Sequence, residues 1–184
     1  MRIVALSGSP SARSRSAWLL QLAQTRLEAL SSQATTIALR ELPPQPLLAG
    51  DAQQPAVDAA VQSLLRADVV LVATPIYKAA YSGLLKTFLD LLPPDALRHK
   101  TVLPLATGGS NAHLLALDYA LKPVLGALGA RHVLDGVFAT DAQLPAHEAG
   151  GYVPDAALLE RLDRALQPLL RPSTPVPQAW RCSA

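Results

Sequence analysis

The stretch Asp68-Val69-Val70-Leu71-Val72-Ala73-Thr74 carries no polar residue between its ends. A strand with one wet face alternates apolar and polar side chains, whereas a strand covered on both faces reads as an unbroken apolar run. This run is therefore an interior strand of a covered sheet. The signature recurs on either side of it. Arg2 to Ser7 is a short apolar run stopped by Gly8 and Pro10, and Thr35 to Leu39, Thr101 to Thr107 and Arg131 to Ala139 complete the set. Glycine and proline bound most of these runs, as expected of strand ends.

The intervals between the runs have helical spacing. Ser16 to Leu30 places Trp18, Leu19, Leu22 and Leu27 on or near one stripe. Pro55 suits the first position of a helix running to about Arg66. Tyr81-Ser82-Gly83 leads into a helix to Leu92, which Pro93-Pro94 ends. Asn111 to about Leu128 reads as one long helix closed near Gly129, and Pro154 to Leu170 as the last. Pro43, Pro44 and Pro46 enforce a loop. Strand and helix thus alternate five times, which predicts an α/β three-layer sandwich: a parallel sheet with helices on both faces. Five such units match the five-stranded flavodoxin-like order 2-1-3-4-5. The domain spans residues 1–171, and the proline-bearing tail 172–184 reads as an irregular arm.

Composition narrows the function. Half the 184 residues are apolar, 16% are charged and 4% aromatic, so the core is aliphatic. Low charge with many apolar residues points to buried contacts between subunits. A net charge of +2 without a Lys/Arg block argues against nucleic acid. Cys182, the one cysteine, excludes an intramolecular disulfide and a cysteine-cluster metal site. No apolar stretch approaches membrane length. The run Met1 to Ser7 is too short for a secretion signal, so residence in the cytoplasm is expected.

Ligands of open α/β sheets bind beyond the carboxyl ends of the strands. Three loops there are unusual. Gly8-Ser9-Pro10-Ser11-Ala12-Arg13-Ser14-Arg15-Ser16 sets hydroxyls and arginines at a helix start, where free amides and the helix dipole favour an anion. It lacks the further glycines of a dinucleotide fingerprint and the Gly-Lys-Ser/Thr of a triphosphate loop, so a terminal phosphomonoester fits. The alternative is a solvated loop in which Ser14 or Ser16 caps the helix. Thr74-Pro75-Ile76-Tyr77-Lys78 offers an apolar side chain and a tyrosine that could border a flat aromatic ligand. It could instead pack on a neighbouring helix, with Ser82 an N-cap. Thr107-Gly108-Gly109-Ser110-Asn111 lets backbone approach a ligand, or makes a tight turn before a surface His113.

With those residues in view, the chain resembles the flavodoxin-like NAD(P)H-dependent FMN reductases. The likeness rests on Gly8-Ser9-Pro10 with Ser14-Arg15-Ser16, on Thr74-Pro75-Ile76-Tyr77 with Ser82-Gly83-Leu84-Leu85-Lys86, and on Thr107-Gly108-Gly109. The stretches Tyr77 to Gly83, Leu103 to Gly109 and His113 to Leu125 are similar to the FMN reductases of two-component alkanesulfonate monooxygenase systems. The resemblance covers about residues 1–139. It implies that Ser9, Ser14, Arg15 and Ser16 hold the FMN phosphate and that Pro75, Ile76, Tyr77 and Lys78 line the ring's edge. Thr107, Gly108 and Gly109 would contact the pyrimidine end, with His113 beside them.

The resemblance further implies an enzyme that moves hydride from NADPH to FMN and supplies reduced flavin to a partner sulfonate monooxygenase. The flavin carries the chemistry. No catalytic side chain is required, and amides of Thr107, Gly108 and Gly109 would stabilise developing charge. The 2′-phosphate of NADPH calls for a basic partner, for which Arg13 and Arg15 are candidates. The rivals are a quinone or azo reductase that keeps its FMN, and a flavodoxin-type electron carrier. The carrier is disfavoured by the +2 charge, because flavodoxins are strongly acidic.

A homotetramer is implied too. Independently, Leu114, Leu115, Leu117, Leu121, Val124, Leu125 and Leu128 cannot all face one sheet. Pro123 lies inside the same helix and deprives the Tyr119 carbonyl of its usual donor. The Val124 amide, five residues on, predicts a π-bulge there, as the resemblance also implies; a plain proline kink is the alternative. Asp118 and Lys122 read as a surface pair. His99, His132 and His147 have no metal-like spacing, and no metal site is expected. Trp18 and Trp180 read as packing residues, and Arg40 as a solvated arginine.

Overall fold

A computed structural model describes residues 1–28 and 34–170. The parallel strands are β1 (Ile3–Ser7), β2 (Ala34–Ala38), β3 (Val69–Tyr77), β5 (Thr101–Gly108), β6 (His132–Val133) and β7 (Val137–Thr140), with a short antiparallel β4 (Ala80–Tyr81) paired to β3. Neighbours run β2-β1-β3-β5-β6, and β7 also pairs with β5. The helices are α1 (Arg15–Glu28), α2 (Pro44–Ala49), α3 (Pro55–Leu65), α4 (Gly83–Leu89), α5 (Lys122–Ala127) and α6 (Ala156–Leu170).

β3 shows why its run had to be apolar throughout. Val70 and Val72 face one core with Leu64, Leu85 and Phe88, while Val69, Leu71 and Ala73 face a second with Leu19, Leu20 and Leu162. Period-two alternation sends every residue of the strand into one core or the other. Helices α3, α4 and α5 therefore cover one face of the sheet, and α1 and α6 the other.

The layered parallel fold stands, but the five-stranded sheet does not: it has seven strands. The run Arg131 to Ala139 breaks into β6 and β7 where Gly136 presses close to Leu117 and the Pro104 carbonyl; a Cβ there would lie 3.0 Å from Leu117 Cδ1. The third strand does not stop at Thr74. Pro75, Ile76 and Tyr77 continue it, Pro75 opposite Thr107. A proline is tolerated because β1 ends opposite Ala73, so Pro75 has a strand on one side only. The chain then turns through Lys78 (φ 50°) and Ala79 (φ 64°) into β4. Two positive φ values suit the right-handed twist of a two-residue hairpin.

Two further expectations are corrected. The proline-rich segment is not all loop: Pro44 opens α2, at the position where a missing N–H costs nothing. Asn111 to Leu128 is not one helix but a 3₁₀ turn (Asn111–His113), a π-helical turn (Leu117–Leu121) and α5. The π geometry at Tyr119 was expected. Its bond joins the Lys122 amide to the Leu117 carbonyl, two residues before the expected pair of Val124 and Tyr119. The tail with Trp180 and Cys182 lies outside the described residues.

Candidate functional site

The loops after β1, β3, β5 and β7 meet in a recess of about 290 Å³. The sequence-predicted Ser9, Ser14, Arg15, Pro75, Ile76, Tyr77, Thr107, Gly108 and Gly109 all line it. Ser11, Arg13, Asp141 and Tyr152 join them. Asp141 and Tyr152 come from the segment after β7, far along the chain, and no local signal marks them.

One end of the recess is built for an anion. Ser14 Oγ accepts from the Ala17 amide at 3.3 Å, and the Trp18 amide donates to the Ser14 carbonyl at 2.9 Å, so Ser14 caps α1. The first-turn amides of Arg15 and Ser16 have no acceptor among the described residues, and such amides are ready donors to an anion. Ser9 is buried, and its Oγ accepts from the Ser11 amide at 3.2 Å, which leaves its own proton to donate. Ser16 stands off the recess. It is fully buried and shares a 2.8 Å hydrogen bond with Ser14, so its hydroxyl sets the orientation of Ser14.

Arg15 is more engaged than its position in the sequence suggests. Its Nε donates to the Leu144 carbonyl at 3.0 Å and Nη1 lies 3.4 Å from Asp141 Oδ1. Its guanidinium sits 5.1 Å from the centre of the Tyr152 ring. The arginine ties the β7 loop to the rim of the recess, which it also lines.

The other end is lined by Pro75, Ile76 and Tyr77 and by the loop Thr107-Gly108-Gly109. Ile76 is buried and Tyr77 half exposed, on the strand end that pairs with Thr107. The Gly109 amide has no hydrogen-bond partner among the described residues. Gly108 leaves no room for a side chain: a Cβ there would lie 3.1 Å from Phe138 and 3.4 Å from His113 Cβ. His113 lies behind this loop, off the recess, and its Nδ1 is buried without a partner. Lys78, on the hairpin turn, also stands outside the recess.

Ser82 holds these loops together. It is buried, caps α4 by accepting from the Leu85 amide at 3.1 Å, and donates to the Gly8 carbonyl. Its own amide donates to Thr74 Oγ1 at 3.0 Å. One residue thus joins α4 to the ends of β1 and β3. Replacing it (Ser82→Ala) removes a cap and strands a buried carbonyl. A loss of about 1–3 kcal/mol in unfolding free energy is expected, read from the denaturation midpoint. An unchanged midpoint contradicts this role.

The donor set fits FMN. Hydroxyls and helix amides suit its phosphate, the Pro75–Tyr77 strand end suits a planar ring, and a free amide at Gly109 suits a carbonyl oxygen on that ring.

Comparison with known proteins agrees. A family described as NADPH-dependent FMN reductase matches residues 1–144. The FMN reductase (NADPH) of Escherichia coli K12 is 50% identical over 168 residues, covering 91% of this chain and 87% of its own. The NADH-dependent FMN reductase SfnF of Pseudomonas putida is 32% identical over 170 residues, covering 90% and 89%. The solved NADH:FMN oxidoreductase EmoB, in its apo form, superposes with a TM-score of 0.84 at 44% identity, covering 95% of this chain and 91% of that one.

Proposed function

The chain belongs to the NADPH-dependent FMN reductase family, and from that premise we propose that it prefers NADPH and releases reduced FMN to a partner monooxygenase that oxidises sulfonates. The observation that carries this reading is the recess itself, with an anion cradle at one end and Pro75, Ile76 and Tyr77 beside the Gly108–Gly109 backbone at the other. It is open on one side, as a flavin that leaves requires. The site of action is the cytoplasm, and no helix among the described residues is long and apolar enough to cross a membrane.

FMN supplies the hydride-accepting ring. The chain's residues bind and orient it. Ser9, Ser11 and Ser14 hydroxyls, the Arg15 and Ser16 amides and the Arg15 guanidinium at the rim hold the phosphate. Pro75, Ile76 and Tyr77 flank the ring, with Lys78 at the turn beyond. Thr107, Gly108 and Gly109 present backbone to its pyrimidine edge, and the Gly109 amide donates where negative charge grows on reduction. His113 supports that loop from behind.

The test is steady-state oxidation of NADPH and NADH with added FMN, FAD or riboflavin. Faster turnover with NADPH, and rates that follow added FMN, support the reading. A protein that retains its flavin through purification and reduces quinones without added FMN overturns it. Arg15→Ala separates the phosphate from the ring. Losing a charge-assisted bond worth roughly 1.5–3 kcal/mol is expected to weaken FMN far more than riboflavin. Equal losses on both ligands refute the assignment.

A homotetramer is part of the proposal. Leu117, Leu121, Leu125 and Leu128 are buried, but Leu114, Leu115 and Tyr119 are 46%, 58% and 79% exposed on the same segment. Light scattering at micromolar concentration is expected to give the tetramer mass, and a monomer contradicts it.

A further inference from the structure

We infer that a second cleft, next to the flavin recess, seats the adenosine 2′-phosphate of NADPH, with Arg40 and His147 as the residues that select it over NADH. This deepens the functional reading above and rests on it. The cleft is about 780 Å³, and Arg13, Ser14 and Tyr152 line both it and the flavin recess. It therefore opens from the anion end of the flavin site. A pyridine dinucleotide is longer than FMN, so its adenosine half must lie beyond the recess, and this cleft is continuous with it.

The chemistry of the lining matches a phosphomonoester. Arg13, Arg40 and His147 converge on the cleft. The Arg13 guanidinium has no ion pair or hydrogen bond among the described residues. Arg40 follows β2. Its Nη2 donates to Glu41 at 2.7 Å, which leaves its other donors available, and its side chain is 28% exposed. The sequence alone read Arg40 as a solvated arginine; the structure places it in a cleft wall. Arginine's planar fork suits phosphate oxygens. Glu148 also lines the cleft, on its exposed rim.

His147 is held in place rather than merely nearby. Ala146 and Tyr152 form an antiparallel bridge, the His147 amide donates to Gly151 at 3.0 Å, and the Gly150 amide donates to His147 at 2.9 Å. Gly150 (φ 96°) and Gly151 (φ 78°) permit this tight loop. The Ala149 amide donates to His147 Nδ1 at 3.2 Å, so Nε2 carries the proton and can donate to an anion. Trp18 also lines the cleft and stacks edge-on with Tyr152 at 6.4 Å, giving an adenine an aromatic surface.

The experiment measures KM for NADPH, NADH and FMN in the full chain and in Arg40→Ala, Arg40→Lys and His147→Ala. It also measures inhibition by 2′,5′-ADP against 5′-ADP. Arg40→Ala is expected to raise KM for NADPH by about tenfold or more while the KM values for NADH and FMN stay within about twofold. Arg40→Lys should recover part of the loss, and 2′,5′-ADP should compete with NADPH in the parent and lose potency in Arg40→Ala. Unchanged KM for NADPH in both alanine variants, an equal rise for NADH, or 2′,5′-ADP no better than 5′-ADP overturns the inference and leaves the FMN reductase reading intact. A parent chain that oxidises NADPH no faster with added FMN removes both. Thermal melting of each variant separates a lost contact from a lost fold.

Discussion

Gly8→Ala is expected to lower unfolding free energy by about 2–3 kcal/mol and to weaken FMN binding. Gly8 ends β1 and begins the anion loop, and its amide donates to the Ala73 carbonyl at 2.8 Å. A Cβ at this position would lie 2.9 Å from Leu85 Cβ and 3.1 Å from that same carbonyl. Neither can yield cheaply. Leu85 is fully buried on α4, and Ala73 is in the central strand. Overpacking of this kind costs roughly 1–3 kcal/mol. The upper end applies because the clash also loosens the Ser82 bond to the Gly8 carbonyl. Gly109→Ala is the control. A Cβ there meets nothing within 4 Å, so the fold should keep its stability while flavin affinity falls. Denaturation midpoints and FMN titrations of both variants decide the matter. A Gly8→Ala chain with parental midpoint and affinity refutes the account.

The contrast between these glycines shows what the sequence made legible. Both stood out as loop glycines beside hydroxyl residues, and the structure brings both loops to one recess. Only the packing distinguishes them: Gly8 is required by Leu85, and Gly109 by nothing among the described residues. The covered sheet was readable because β3 has no polar position to spare. The π turn at Tyr119 was legible from the resemblance, whereas the donor that Pro123 removes pointed to a bond two residues too far along. The fifth run was misread as one strand because its break depends on Leu117 and Pro104 approaching Gly136, contacts with no local signature. Pro44 read as a loop residue because proline marks both loop interiors and first helical positions. Pro75 hid the end of β3 for a similar reason: whether a proline ends a strand depends on which neighbours the strand still has. Tyr152 and Asp141, which engage Arg15, lie more than a hundred residues from it.

Deleting Tyr119 is expected to regularise its helix and to lengthen the residence of FMN. The π turn carries one residue more than an α-helix would use between the same neighbours. The Lys122 amide now reaches the Leu117 carbonyl five residues back. Removing one intervening residue makes that spacing four, the α-helical value. Tyr119 is 79% exposed, so deletion empties no core. It does change what the segment offers to a neighbouring subunit, because Leu114 and Leu115 stay exposed while their relation to α5 rotates. The same turn packs against β4, and β4 pairs Tyr81 with Ile76 and Ala80 with Tyr77. Ile76 and Tyr77 line the flavin recess. The exposed π turn and the ring-binding strand end are thus linked through one two-residue strand. A turn that relaxes to α geometry lets the hairpin settle and holds the flavin longer. Each ~1.4 kcal/mol gained by the bound state slows release about tenfold. Two measurements decide it: the rate of FMN loss after dilution, and the subunit count by light scattering. Slower loss with fewer or more subunits supports coupling between interface and flavin. Unchanged FMN loss in a folded deletion chain leaves the π turn without a part in flavin release.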